Sequence, residues 1–162
     1  MIIWIASYPK SGNTWVRAFI TSLLFKKDKG TSFKDLVHIN IYPRRTLLKK
    51  YTTNYHNFEE LSNFWLPTQK DINKDNKVRF LKTHHATCKI KGNNFTDAEN
   101  TLGRIYIVRD PRNVITSFAN HNSKTLDETF NLLINDLATG NEKNDVEVYM
   151  GSWSFNFNSW KI

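Results

Sequence analysis

The chain has a single cysteine, Cys88, so no internal disulfide is possible and a disulfide-stapled scaffold is excluded. Six glycines and four prolines in 162 residues are too few for collagen-like or low-complexity sequence. No apolar run approaches the ~18 residues that a transmembrane helix needs. The opening stretch, Met1-Ile2-Ile3-Trp4-Ile5-Ala6-Ser7, lacks a basic segment and is too short for a signal peptide or a membrane span. These absences lead to the expectation of a cytoplasmic protein with no membrane partner. Acidic residues are also scarce, 15 Asp+Glu against 23 Lys+Arg, for a net charge of +8. The deficit is local: residues 1–112 carry +11 and residues 113–162 carry −3. A basic stretch of this size fits an anionic partner (nucleotide, nucleic acid or membrane surface) and equally a solvated basic face.

What is present is a foldable composition. At 40% hydrophobic and 14% aromatic residues the chain is globular, and its length suits one domain, residues 1–162. A chain of this size buries about 70% of its unfolded surface.

Ile2 to Ala6 is continuously apolar and partly β-branched, which predicts a strand buried on both faces of a parallel sheet. Tyr8 to Asn13 reads as a loop. From Thr14 the period changes: Trp15, Val16, Phe19, Ile20, Leu23 and Leu24 recur at helical spacing, and Lys26 and Lys27 supply cations at the far end. The stretch from Gly30 to Asn76 is poorly patterned. Pro43 can start a short helix through Leu47 and Leu48, and Asn57 with Glu60 suggests a capped helix through Leu61 and Trp65. Val78–Lys82 and Gly103–Val108 are further strands. Pro111 opens a helix through Phe118; Thr125 and Glu128 form a capping box for another, expected to end near Gly140. Trp153, Phe157 and Trp160 mark a last helical face. Strands alternating with helices predict an α/β protein with a parallel sheet.

Three segments carry chemistry. A loop entering a helix N-terminus meets free backbone N–H groups and the positive end of the macrodipole, which suits an anion. Ser11, Gly12, Asn13 and Thr14 are small and polar there, Lys10 adds a charge, and Trp15 offers a flat face for a ring. A Walker A loop places Lys and Ser/Thr after its second glycine, where the hydroxyl binds magnesium. Here Lys10 precedes the glycine, an order that favours a phosphate or sulfate site without a metal. An ordinary βα turn has the same outline. The second segment, Lys82-Thr83-His84-His85, lies at a strand end, and a histidine there can act as a general base. Neighbours on an extended segment face opposite sides, so only one of the pair can point into a site. In the third, Arg109 follows a strand at its carboxyl end, where open α/β sheets bind ligands, and can grip a phosphate through two hydrogen bonds; Ser117 lies two turns into the next helix. Pairing of Arg109 with Asp110 is the competing reading.

Together the three segments resemble the family of sulfotransferases that use 3′-phosphoadenosine 5′-phosphosulfate (PAPS). Tyr8-Pro9-Lys10-Ser11-Gly12-Asn13-Thr14-Trp15 resembles the family's 5′-phosphosulfate loop, with Asn13 where threonine is commoner. Lys82-Thr83-His84 resembles its Lys-Thr-His segment, which makes His84, not His85, the base. Ile107 to Val114 with Ser117 resembles its 3′-phosphate motif, in which Arg109 and Ser117 bind that phosphate; Asn113 replaces the usual aspartate. Gly151-Ser152-Trp153 and Ser159-Trp160 resemble the segment around its next helix. The family's C-terminal Arg-Lys-Gly segment has no counterpart here, so the domain is expected to be incomplete at its C-terminus. The resemblance implies the sulfotransferase fold, a P-loop-like parallel β-sheet flanked by helices. It also implies PAPS as sulfuryl donor and PAP as product, with Lys10 and His84 catalytic. Lys10, Ser11, Gly12, Asn13, Thr14, Trp15, Arg109 and Ser117 would hold the cofactor, with no metal. The acceptor would be a small molecule or glycan hydroxyl or amine, with no specific nucleic acid as partner. A small-molecule kinase of P-loop type and a non-catalytic nucleotide- or nucleic-acid-binding fragment are the alternatives.

Overall fold

The computed structural model describes residues 1–26, 32–141 and 146–161. Of the residues singled out above, Lys27 and Gly30 lie outside them. Strand β1 (Ile2–Ser7) leads to α1 (Asn13–Thr21), which runs on as a π-helical turn, Ser22–Lys26. A 3₁₀ helix (Phe33–His38), β2 (Asn40–Ile41), α2 (Arg45–Leu48), α3 (Phe58–Ser62) and α4 (Trp65–Asn73) precede β3 (Arg79–Thr83). A small hairpin of β4 (Lys89–Ile90) and β5 (Asn93–Asn94) then leads to β6 (Thr101–Ile107). Next come α5 (Pro111–Asn122), α6 (Leu126–Ile134), the antiparallel pair β7 (Thr139–Asn141) and β8 (Glu147–Tyr149), and α7 (Trp153–Ser159).

Four strands form one parallel sheet in the order β2-β3-β1-β6. The chain leaves β1 toward β3 and later crosses to β6 on the other side of β1. The carboxyl ends beside β1 are therefore a topological switch point, where open α/β sheets place their ligands. The alternation of side chains explains why the β1 run is apolar throughout. Ile2, Trp4 and Ala6 enter a core with Tyr42, Trp65, Leu81, Phe95 and Trp160. Ile5 faces the opposite way, onto Ile20 and Ile39 beside α1.

Pro111 occupies the first turn of α5, and the side chain of Asp110 caps it by accepting from the Arg112 N–H. Thr125 and Glu128 form the complete capping box expected for α6. That helix ends at Ile134, short of Gly140. Asn135 leaves the helical region, its side chain accepts from the Leu137 N–H at 2.9 Å, and Gly140 joins β7 instead. Asn57 caps α3, but the Glu60 carboxylate accepts from Thr52 and Asn54 and not from the cap, so that box is only half formed.

His85 is buried in the aromatic core. It stacks on Phe95 with 4.3 Å between centroids and meets the edge of Trp65 at 4.6 Å. Its Nδ1 donates to the Ala86 carbonyl at 2.7 Å, and the Trp160 indole donates to its own carbonyl at 3.0 Å. Nε2 is buried with no hydrogen-bond partner. Burial disfavours the imidazolium and lowers the pKa from 6.5 to about 4. The unfolded chain therefore binds a proton that the native state refuses between those two values. Stability is expected to fall as pH drops from about 6.5 to about 4, by about 3 kcal/mol if this group acts alone. Thermal melts across that window check it: His85→Phe should flatten that part of the profile, and an unchanged profile would refute the assignment.

Candidate active site

The loop after β1 makes its turn with two left-handed residues, Lys10 at φ 66° and Gly12 at φ 101°. A side chain at Gly12 would meet no atom within 4 Å, so glycine is required there by conformation and not by space. Gly12 is the N-cap of α1 and supplies no side-chain cap, and the first turn carries no acidic residue. The backbone N–H groups at the start of α1 and its macrodipole are thus presented to the loop without protein neutralisation. Ser11 is buried, and its Oγ has no hydrogen-bond partner. Such an orphaned donor beside an N-terminus suits an anion's oxygen.

The structure separates the roles of the loop residues. Asn13 turns its side chain inward: Nδ2 donates to the Ile5 carbonyl at 3.1 Å and to Ser7 Oγ at 3.2 Å. Only its backbone is left for a ligand. Thr14 and Trp15 are exposed, Trp15 by 82%, and Phe19 continues the same exposed apolar stripe.

His84 lies beside the end of β1. Its Nδ1 is 2.7 Å from the Ser7 carbonyl oxygen and 3.2 Å from Ser7 Oγ. A carbonyl can only accept, so Nδ1 carries the hydrogen and, in the neutral ring, Nε2 carries the lone pair. The backbone of His84 is held from the other side, where buried Asn156 of α7 donates from Nδ2 to its carbonyl at 3.1 Å and to that of Met150 at 2.8 Å. Asn156 Oδ1 accepts from the Tyr106 hydroxyl at 2.8 Å, which ties α7 to β6 as well. Lys82, next but one before His84, is also buried, at the end of β3. Sequence reading missed Ser7 and Asn156. Ser7 carries no signal beyond ending a strand, and an asparagine within Phe-Asn-Phe-Asn has none at all.

Arg109 does not pair with Asp110. Asp110 is taken by Arg112, with Arg112 Nη2 at 2.5 Å, and this pairing holds the Asp110 carboxyl down at a pKa of about 2. Arg109 Nη1 instead donates to the Lys10 carbonyl at 2.9 Å, linking the loop after β6 to the loop after β1. An open cleft of about 480 Å³ beside it is lined by Val108 to Arg112 and Trp153. Ser117 is half-buried on α5, and among the described residues no hydrogen bond joins it to Arg109. At the entry to α7, Gly151 has φ 64° and Ser152 caps the helix by accepting from the Phe155 N–H at 3.0 Å.

Among the described residues no helix is long and apolar enough to cross a membrane. Curated proteins give no match to the chain. An uncapped helix N-terminus, a lysine, a histidine and an arginine thus lie together at three adjacent strand ends. The family model for the sulfotransferase domain matches residues 2–161, and the chain therefore belongs to the sulfotransferase family.

Proposed function

We propose that this sulfotransferase moves a sulfuryl group from PAPS to the hydroxyl or amine of a small-molecule or glycan acceptor, with His84 as general base and without a metal. The observation that carries the reading is the Arg109–Lys10 hydrogen bond, with His84 held against Ser7 on the same strand end. The strand-end loops assigned to the two ends of the nucleotide are one connected structure.

The residues fit the donor. The α1 N-terminus and Ser11 Oγ offer unshared donors for the 5′-phosphate, and Arg109 keeps four of its five N–H hydrogens for the 3′-phosphate. Trp15 lies exposed at the loop exit, where an adenine ring can stack. Bound there, the donor supplies a sulfuryl group on a phosphate leaving group. The chain supplies positioning and electrostatics, as in phosphoryl transfer. Lys10 stabilises the charge that grows on the leaving oxygen. His84 Nε2 takes the acceptor proton as the acceptor oxygen or nitrogen bonds to sulfur. Ser117 reaches the 3′-phosphate once the nucleotide is in place.

PAP is expected to raise the melting temperature more than AMP does, without added metal. Arg109→Ala should weaken PAP binding by ~1.5–3 kcal/mol and leave AMP binding nearly unchanged. Calorimetry with both nucleotides decides this, and an equal loss for the two would remove Arg109 from the 3′-phosphate. In turnover with a phenol or sugar acceptor, His84→Ala should cost ~10²–10⁴-fold in rate with little change in PAP affinity. His85→Ala should act on stability instead; a larger rate loss there would shift the base by one residue.

A further inference from the structure

We propose that a recess on the flank of the sheet, between β2 and the C-terminal end of α4, binds a small organic monoanion with a carboxylate or sulfate head on an apolar body. The site is separate from the donor site, and the proposal does not depend on the reading of His84.

The recess has a volume of about 370 Å³. It borders the edge of the sheet, where Asn40 of β2 lies beside Leu81 of β3. Leu81 is three residues before His84, so this part of the recess lies roughly 10 Å back along the strand from the proposed base. Leu47 and Ile72 give it apolar surface and are themselves packed on the first core. The remaining lining is charged: Arg44, Lys74 and Arg79 against Asp71 and Asp75.

These charges divide into spent and unspent. Asp71 is held by Lys50, by Lys74 at 2.8 Å and by the Tyr51 hydroxyl at 2.6 Å. Asp75 is gripped by both Nη atoms of Arg79, at 3.0 and 2.6 Å. The contacts hold both carboxyls below the usual carboxylate range. Arg79 also donates to the Ile72 carbonyl, which offsets the negative end of the α4 dipole. Arg44 has no carboxylate among the described residues. Its Nη1 donates to Asn40 Oδ1 at 2.9 Å, and its Nε is buried without a partner. That edge of the guanidinium is turned into the protein. Nη2 is neither bonded nor buried, so it keeps two hydrogens where a ligand can meet them, and Nη1 keeps one.

A fixed guanidinium with three unspent hydrogens suits the paired oxygens of one anionic head. The three cations of the lining outnumber its two carboxylates by one, before Lys50 is added, so the recess has no net negative charge to repel that head. Leu47 and Ile72 offer an organic body contact that a bare inorganic anion cannot use.

The test is a titration of the PAP-saturated protein with hexanoate, followed by methyl NMR. PAP fills the donor site, so the signals of Leu47, Ile72 and Leu81 should shift together and report the recess alone. The free protein should give the same affinity, and the result therefore stands whether or not PAP binds. Hexyl sulfate should bind in the same place, and the tighter of the two ligands names the head group. 1-Hexanol and inorganic sulfate each carry half of the chemistry and should bind weaker by about tenfold. Arg44→Met keeps the stem and removes the donors; it should weaken hexanoate by about tenfold or more. Arg44→Gln carries the test if Arg44→Met does not fold. An absence of shifts at these methyls overturns the proposal, as does undiminished binding in the Arg44 variants. So does equal binding of 1-hexanol, which would make the recess merely apolar, or inorganic sulfate as tight as hexyl sulfate, which would leave the organic body without a role. Displacement of PAP by hexanoate would place the anion in the donor site instead.

Discussion

The constraint on which the rest depends is the parallel insertion of β1 between β3 and β6. Strands that run the same way end on the same edge, so Ser7, Thr83 and Ile107 finish side by side and their loops must meet. The sheet does this mainly with apolar residues: Ile2, Trp4 and Ala6 of β1 enter one core and Ile5 the other. The polar residues around the strand ends lie outside these two cores. They are kept in place by a few buried hydrogen bonds: Asn13 to Ile5, Asn156 to His84, and Arg17 to the Leu36 and Ile39 carbonyls at 3.0 and 2.6 Å. Each of these ties a helix to a strand end or to the segment leading into one.

The electrostatic character of this edge follows from what is neutralised and what is not. Asp110 would weaken a nearby anion site, but Arg112 occupies it, and its second duty is to cap α5. The start of α1 has no acidic residue to offset its dipole. Buried hydroxyls reinforce this neutrality. Burial pushes the Tyr8 and Tyr106 phenols above their ordinary range, so both stay uncharged beside the loops even at alkaline pH. The absence of unpaired negative charge at the start of α1 and α5 thus comes from local pairing and composition.

Much of this was legible in the residues. The doubly buried β1 follows from an unbroken apolar run, the start of α5 from Pro111, and the start of α6 from Thr125 and Glu128. The three chemical segments are local in sequence, and their side-by-side placement follows once the sheet is read as parallel. What could not be read depends on partners distant in the chain. Whether Asn13 faces in or out is decided by the Ile5 carbonyl and Ser7, and the burial of His85 is decided by Trp65 and Phe95. The end of α6 was misplaced because the periodic apolar residues run on to Leu137, while Asn135 offers its own side chain to the backbone and halts the helix first. The two-residue strands β2, β4 and β5 are too short for any period to register.

The bond from Arg109 to the Lys10 carbonyl has a thermodynamic reading. A guanidinium that bridges two loops cannot be ordered by one partner without ordering the other, so the free energies of the two loops are linked. Whatever a ligand spends or gains in fixing the peptide of Lys10 is felt at Arg109, and by reciprocity the reverse holds to the same degree. The loops after β1 and β6 are therefore coupled through this one hydrogen bond.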